Sequence, residues 1–190
     1  PSIIAGFPWF GEWGRDAMIA LEGLTLDLGK YDEAFGILTS FAGHEQDGLF
    51  PNQLSITGNS SYNTVDASLW FFHAVDRYIE VTGDIDGASS ALYPTMARIL
   101  SAYFENRVPN AMLTSTGTLH AGSPDTQLTW MDASVSGVPV TPRHGFPVEI
   151  QALWYNALCV FAELDCGSHR LSAQITDTIS RLESEIPRLF

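Results

Sequence analysis

From Pro147 onward, apolar side chains recur at Ile150, Leu153, Trp154, Ala157, Leu158, Phe161 and Leu164. This is the i, i+3, i+4, i+7 spacing that a helix of 3.6 residues per turn gathers onto one face. A strand cannot use that pattern, because its side chains change sides at every residue. Pro147 is well placed to open the helix, where a missing N–H costs nothing. The same reading predicts a helix over about residues 63–82. Val65, Leu69, Phe72, Val75 and Ile79 mark one side there, and Trp70 and Phe71 widen the apolar surface until the helix reads as buried. Further helices are expected at about 15–28, 32–42, 90–106 and 169–189. The last carries a narrow stripe of Leu171, Ile175, Ile179, Leu182 and Ile186. Only residues 2–10 read as a strand. The fold class is therefore all-α, helical hairpins in series.

Composition narrows the function. With 190 residues the chain is expected to form part or all of a single domain, residues 1–190. Nine basic against 22 acidic residues give a net charge of −13, and Lys30 is the only lysine, which excludes a binder of nucleic-acid phosphates. At 45% hydrophobic and 16% charged the sequence has enough apolar material for a packed core. The longest apolar stretch, 150–164, falls short of the ~20 residues that a membrane span needs. Cys159 and Cys166 lie seven positions apart on one expected helix, ~10 Å along its axis, too far to bridge. A reducing, cytoplasmic setting is expected. The chain starts at Pro1 without a methionine, and it is expected to be a piece of a longer polypeptide.

The long loops, 43–63 and 107–146, are where function is expected. Four acids stand beside aromatic residues or at helix starts: Asp16 after Trp13-Gly14-Arg15, Asp66 after Asn63-Thr64-Val65, Asp132 after Thr129-Trp130-Met131, and Glu149 after Pro147-Val148. Each has a structural alternative. Asp66 and Glu149 would suit the first turn of a helix, and Asn63 with Asp66 nearly forms a capping box. Asp16 could pair with Arg15, although neighbours in a helix point apart. Asp132, in a loop beside Trp130 with no helix to cap, has the least structural excuse. Aromatic faces stack on sugar rings, carboxylates and arginines bond sugar hydroxyls, and glycoside hydrolysis needs two carboxyl groups about one bond. An apolar neighbour such as Trp130 would raise the pKa of Asp132, as a general acid requires. Trp70 and Trp154 read as core, as does His73. The five histidines show no metal-ligand spacing, and no nucleophile elbow or phosphate loop is present, so neither metal nor cofactor is expected. Asn59-Ser60-Ser61 matches a glycosylation sequon at the level of chance.

Several motifs together resemble the amylo-α-1,6-glucosidase part of glycogen-debranching enzymes. They are Phe7-Pro8-Trp9-Phe10-Gly11-Glu12-Trp13-Gly14-Arg15-Asp16, Gly48-Leu49-Phe50-Pro51-Asn52, Tyr62-Asn63-Thr64-Val65-Asp66-Ala67-Ser68-Leu69-Trp70-Phe71, Leu128-Thr129-Trp130-Met131-Asp132-Ala133, and Thr141-Pro142-Arg143 through Pro147-Val148-Glu149 to Leu158. The resemblance implies an (α/α)6 toroid of six inner and six outer helices, of which this chain would form about half. The active site would lie where the inner-helix N-termini converge. Helices starting near Arg15, Asn63 and Pro147 would be inner, and those near Asp32, Ser90 and His169 outer. It further implies that Asp132 is the general acid, that Arg15 and Asp16 hold hydroxyls of the terminal glucose, and that Trp13, Asp66, Trp130, Arg143 and Glu149 line the site. Phe146 and Gln151 depart from the residues common in the family and would alter substrate contacts. The family's general base, a glutamate of later helices, has no evident counterpart, so the domain is expected to be incomplete on its C-terminal side. The implied partners are glycogen or another branched α-glucan, together with the rest of the barrel or another chain covering an exposed helical face to which Trp70, Phe72, Trp154 and Phe161 contribute. Rival readings are a trehalase- or glucoamylase-like hydrolase of the same fold and a non-catalytic helical carbohydrate-binding module.

Overall fold

Left-handed glycines and prolines set where the helices stop and restart. The computed structural model describes residues 1–55, 58, 60–165, 167 and 169–190; Cys166 and Asn59 of the sequon lie outside them. Helix α1 (Gly14–Leu24) stops earlier than the expected Leu28. A 3-10 turn, Leu26–Leu28, follows and closes on Gly29, whose φ of 70° an L side chain rarely adopts. Helix α2 (Tyr31–Ala42) matches its expectation to within a residue. Helix α3 (Asp66–Thr82) ends at Gly83, again left-handed at φ 71°.

The helix read over 90–106 is α5 (Tyr93–Phe104), and a separate short helix, α4 (Ile85–Ala91), precedes it where none was expected. Asp84 caps α4 by accepting the Gly87 N–H at 2.9 Å. Pro94, in the first turn of α5, has no N–H to continue the α4 ladder, so the backbone restarts there. Helices α6 (Val148–Asp165) and α7 (Ser172–Leu189) complete the set. The strand expected over 2–10 is a hairpin, β1 (Ile4–Gly6) with β2 (Phe10–Glu12). Two further hairpins lie in the long loop: β3 (Ala111–Leu113) with β4 (Leu119–Ala121), and β5 (Ser134–Val135) with β6 (Val138–Pro139). Strands of two or three residues are too short to show a period of two.

Helix α3 packs against α1 on one side and α6 on the other, which makes a row of three. Helix α2 packs on α3, and α5 and α7 pack on α6. Three helices backed by three is half of the six-and-six arrangement of an (α/α)6 toroid, and the three in the row are those expected to be inner. The core runs along the row. Phe50 meets the Phe71 ring edge-on at 4.8 Å, and Trp154 lies between Tyr103 and Phe104 with its Nε1 donating to Gly117 O at 3.0 Å.

Phe72, Trp154 and Phe161 are all 0% exposed, so the apolar patch assigned to them does not exist. Neighbouring elements already enclose them. Exposed large apolar side chains include instead Ile19, Leu24 and Leu28 on and after α1, and Phe7, Trp9 and Phe10 around the first hairpin turn. Trp70 and His73, read as core, are half-buried and touch edge to face. Gln151 corrects another expectation. It is buried, and its amide accepts from Leu119 N at 2.9 Å and donates to Leu119 O at 2.8 Å, which clamps β4 to α6 and keeps the side chain from substrate.

Truncating Trp154 to alanine is expected to cost ~3–5 kcal/mol, as for other buried aromatic residues. Half-buried Trp70→Ala should cost less than half as much. Urea denaturation of the two variants checks the order, and equal losses would contradict this packing.

Candidate active site

The site begins with Gly14. Its N–H donates to Asn52 O at 3.1 Å, and a Cβ in its place would lie 2.4 Å from Pro51 O. Only glycine lets the first turn of α1 press against the 51–52 segment, which explains why the two motifs belong together. Leu54 N donates to Glu12 O at 2.9 Å and continues the junction. The Arg15 side chain enters the space between the N-termini of α1 and α3 and the 128–132 segment, and Arg15 is only 9% exposed.

Arg15 does not pair with Asp16. Its Nε donates to Asp66 Oδ2 at 2.7 Å, its Nη2 to Thr64 Oγ1 at 3.0 Å and to Thr129 O at 2.9 Å, and its Nη1 reaches Asp132 Oδ2 at 3.4 Å. Burial works against the guanidinium charge. The hydrogen bond and charge of Asp66, and then those of Asp132, outweigh it and push the pKa upward, so the group stays charged. Asp66 caps nothing. It is the first residue of α3 and is 1% exposed; Arg15 takes one carboxylate oxygen, and Thr64 Oγ1 donates to the other. The near capping box fails because Asn63 Oδ1 accepts from Ser61 Oγ instead. Tyr103, fully buried, lies close enough that burial and then the Asp66 charge drive its hydroxyl pKa up.

Asp132 is placed by its loop. Leu128 O accepts from Val65 N at 2.9 Å, Thr129 O is held by Arg15, and Gln127 Nε2 donates to Ala133 O at 2.7 Å, closing the segment on itself. The Asp132 side chain keeps 35% of its surface open. Beside it, Trp130 is more than half exposed, and the Arg143 guanidinium lies 5.7 Å from its ring centroid. Arg143 Nε donates to Glu149 Oε1 at 3.0 Å and its Nη2 to the other oxygen, so Glu149, in the first turn of α6, is gripped by both. Phe146 meets the His120 ring edge-on.

The sequence candidates thus fall into two groups joined by the 129–132 segment: Arg15, Asp66 and Asp132 in one, and Trp130, Arg143 and Glu149 in the other. Trp13 adjoins the first, edge-on to Phe10 at 6.3 Å. Asp16 makes no pair with the first group, but it is exposed and shares with Arg15, Ile3, Ile19 and Leu24 a recess of about 280 Å³. Thr64 escaped the sequence reading, although a threonine two residues before a helix-opening aspartate was a usable signal. Among the described residues, buried side-chain polar atoms without a partner are those of Trp13 (Nε1), Asn52 (Oδ1), Thr129 (Oγ1) and Asn156 (Nδ2). The first three border Arg15 or Gly14, which concentrates unspent hydrogen-bonding capacity here. A cleft of about 430 Å³ lined by Glu45, Asp47, Arg98 and Arg107 lies elsewhere, and its charges pair with one another.

Comparison with known proteins gives three similarities. The family described as amylo-alpha-1,6-glucosidase matches residues 1–182. The glycogen debranching enzyme of Saccharomyces cerevisiae is 31% identical over an alignment of 223 positions, covering 86% of this chain and 14% of the yeast protein. A rhamnosidase from Klebsiella oxytoca, solved with rhamnose bound, superposes with a TM-score of 0.62 at 19% identity, over 88% of this chain and 31% of that one. The last likeness concerns the fold, and it agrees with the half-toroid of hairpins. The chain spans well under half the length of either protein.

The Gly14 contact carries a prediction. Gly14→Ala should destabilise the domain by ~1–3 kcal/mol, the usual cost of forcing an atom into packed structure. Gly11→Ala, where an added Cβ meets nothing within 4 Å, should stay within about 0.5 kcal/mol of the parent. Thermal melts of both variants decide it, and similar midpoints would contradict the close approach.

Proposed function

We propose, from the premise that this chain belongs to the amylo-alpha-1,6-glucosidase family, that it supplies part of the active site of an inverting glycoside hydrolase. Its substrate is a single α-1,6-linked glucose stub on a branched α-glucan. The carrying observation is the setting of Asp132: a half-open carboxyl on a loop fastened to two helix N-termini and flanked by an exposed tryptophan. In this reading Asp132 is the general acid. As the bond from C1 to the glycosidic oxygen breaks, the carboxyl proton passes to that oxygen, water adds to C1 from the opposite face, and a base takes the proton of the water. Trp130 stacks on a sugar ring, and exposed Asp16 bonds hydroxyls of the terminal glucose.

We do not assign the base to Glu149, which Arg143 grips through both oxygens. The base comes from outside these 190 residues. The same remainder of the ring, or another chain, covers the face where Ile19, Leu24 and Leu28 stand open. By itself the 190-residue chain should therefore release no glucose from a limit dextrin. Measurable release at enzymatic rates would place the base within it.

In the natural polypeptide that carries these residues, Asp132→Asn should lower kcat at least ~10²-fold with KM nearly unchanged, the usual contribution of a positioned acid. Asp16→Ala should raise KM as well. Steady-state kinetics on a limit dextrin separate the two. Asp132→Asn activity within tenfold of the parent would remove Asp132 from the role.

A further inference from the structure

Arg15 offers five N–H donors. Four of them are committed within the protein: one to Asp66, one to Thr64, one to Thr129 O and one to Asp132. Although Arg15 borders the recess beside Asp16, only one N–H is left for a sugar hydroxyl. Asp66 has still less, since it is buried and both of its oxygens are taken by Arg15 and Thr64. The bonds that Arg15 makes lead instead toward the acid-bearing loop: it fixes the carbonyl of Thr129 and, three residues on, the carboxylate of Asp132.

We propose that Arg15 is a positioning residue, gripped by Asp66 and Thr64, which sets the place and direction of the Asp132 carboxyl instead of binding the terminal sugar. The inference rests on Asp132 being the general acid. The chain of contacts is short and directional. Asp66 fixes the Nε edge of the guanidinium, and Thr64 occupies the space beside one Nη2 hydrogen. The planar group then has one orientation, in which Nη1 points at Asp132. Thr64 touches no exposed surface, being 1% exposed, so whatever it contributes to turnover must pass through its neighbours.

The experiment compares two substrates in the natural polypeptide that carries these residues. An α-1,6-glucosyl stub needs its leaving oxygen protonated, whereas α-glucosyl fluoride departs as fluoride with little help from an acid. Thr64→Val removes one hydroxyl at nearly constant volume. It is expected to lower kcat on the stub at least ~10-fold, a fraction of the general-acid contribution, with KM little changed. Its loss on the fluoride should be several-fold smaller. The fluoride activity also reports that the variant is folded. Asp132→Asn should show the same selectivity, more strongly. A parallel loss on both substrates, or a raised KM with kcat intact, would overturn the positioning role and return Arg15 to sugar binding or to plain stability. If Asp132→Asn itself lacks the selectivity, the general-acid reading fails, and the inference fails with it. A Thr64→Val enzyme that matches the parent on both substrates would also overturn it.

Discussion

The rest of the site depends on one buried guanidinium. Taking a charge out of water is costly unless it is paired and hydrogen-bonded, so the chain must bring acceptors to Arg15 wherever it is enclosed. The acceptors come from stretches far apart in sequence. Asp66 lies 51 residues away and Asp132 lies 117 residues away. Satisfying Arg15 therefore joins the start of α1, the start of α3 and the 128–132 loop. Gly14, one residue earlier, makes the meeting sterically possible by letting α1 approach Pro51.

That requirement gives the loop a rigid support. A loop that carries a reactive group works only if something firm holds it. Here Leu128 is tied by the backbone of Val65, Thr129 by Arg15, and the loop's own ends by Gln127. Behind this junction, α3 is packed between α1 and α6, and its aromatic residues fill the core. The carboxyl of Asp132 and the face of Trp130 emerge at the edge of this frame, open to solvent. On the other side of the segment, the Arg143–Glu149 pair holds a charge against Trp130. One short loop thus connects an acid seated on a buried cation with an aromatic ring seated on a half-exposed one.

The helices were largely legible, because a 3.6-residue period over four or five turns leaves a strong pattern. The start of α6 was placed within a residue, whereas α4 was missed where Pro94 and the Asp84 cap act locally. The three hairpins were mostly hidden, since two or three residues cannot display alternation. The candidate residues were legible as types, acids and arginines beside aromatics, but their partnerships were not. Spacing along the chain says nothing about a contact 117 residues long. Hence the helix-start position of Asp66 suggested a cap, whereas its carboxylate is the counter-charge of Arg15. Gln151 read as a substrate contact, although its amide is spent on the backbone of Leu119. Burial decided both, and a single sequence does not reveal burial for a polar residue.

The most direct measurement is a crystal structure of the natural polypeptide with a glucose-like inhibitor whose basic nitrogen mimics the charge at C1. The account predicts that the sugar lies beside Trp130, with an Asp132 oxygen ~2.6–3.2 Å from the position of the glycosidic oxygen, the reach of a working acid. Arg15, Asp66 and Thr64 would keep their mutual bonds and make no sugar contact. A sugar bound elsewhere, or one held by Asp66 with Asp132 turned away, would contradict it.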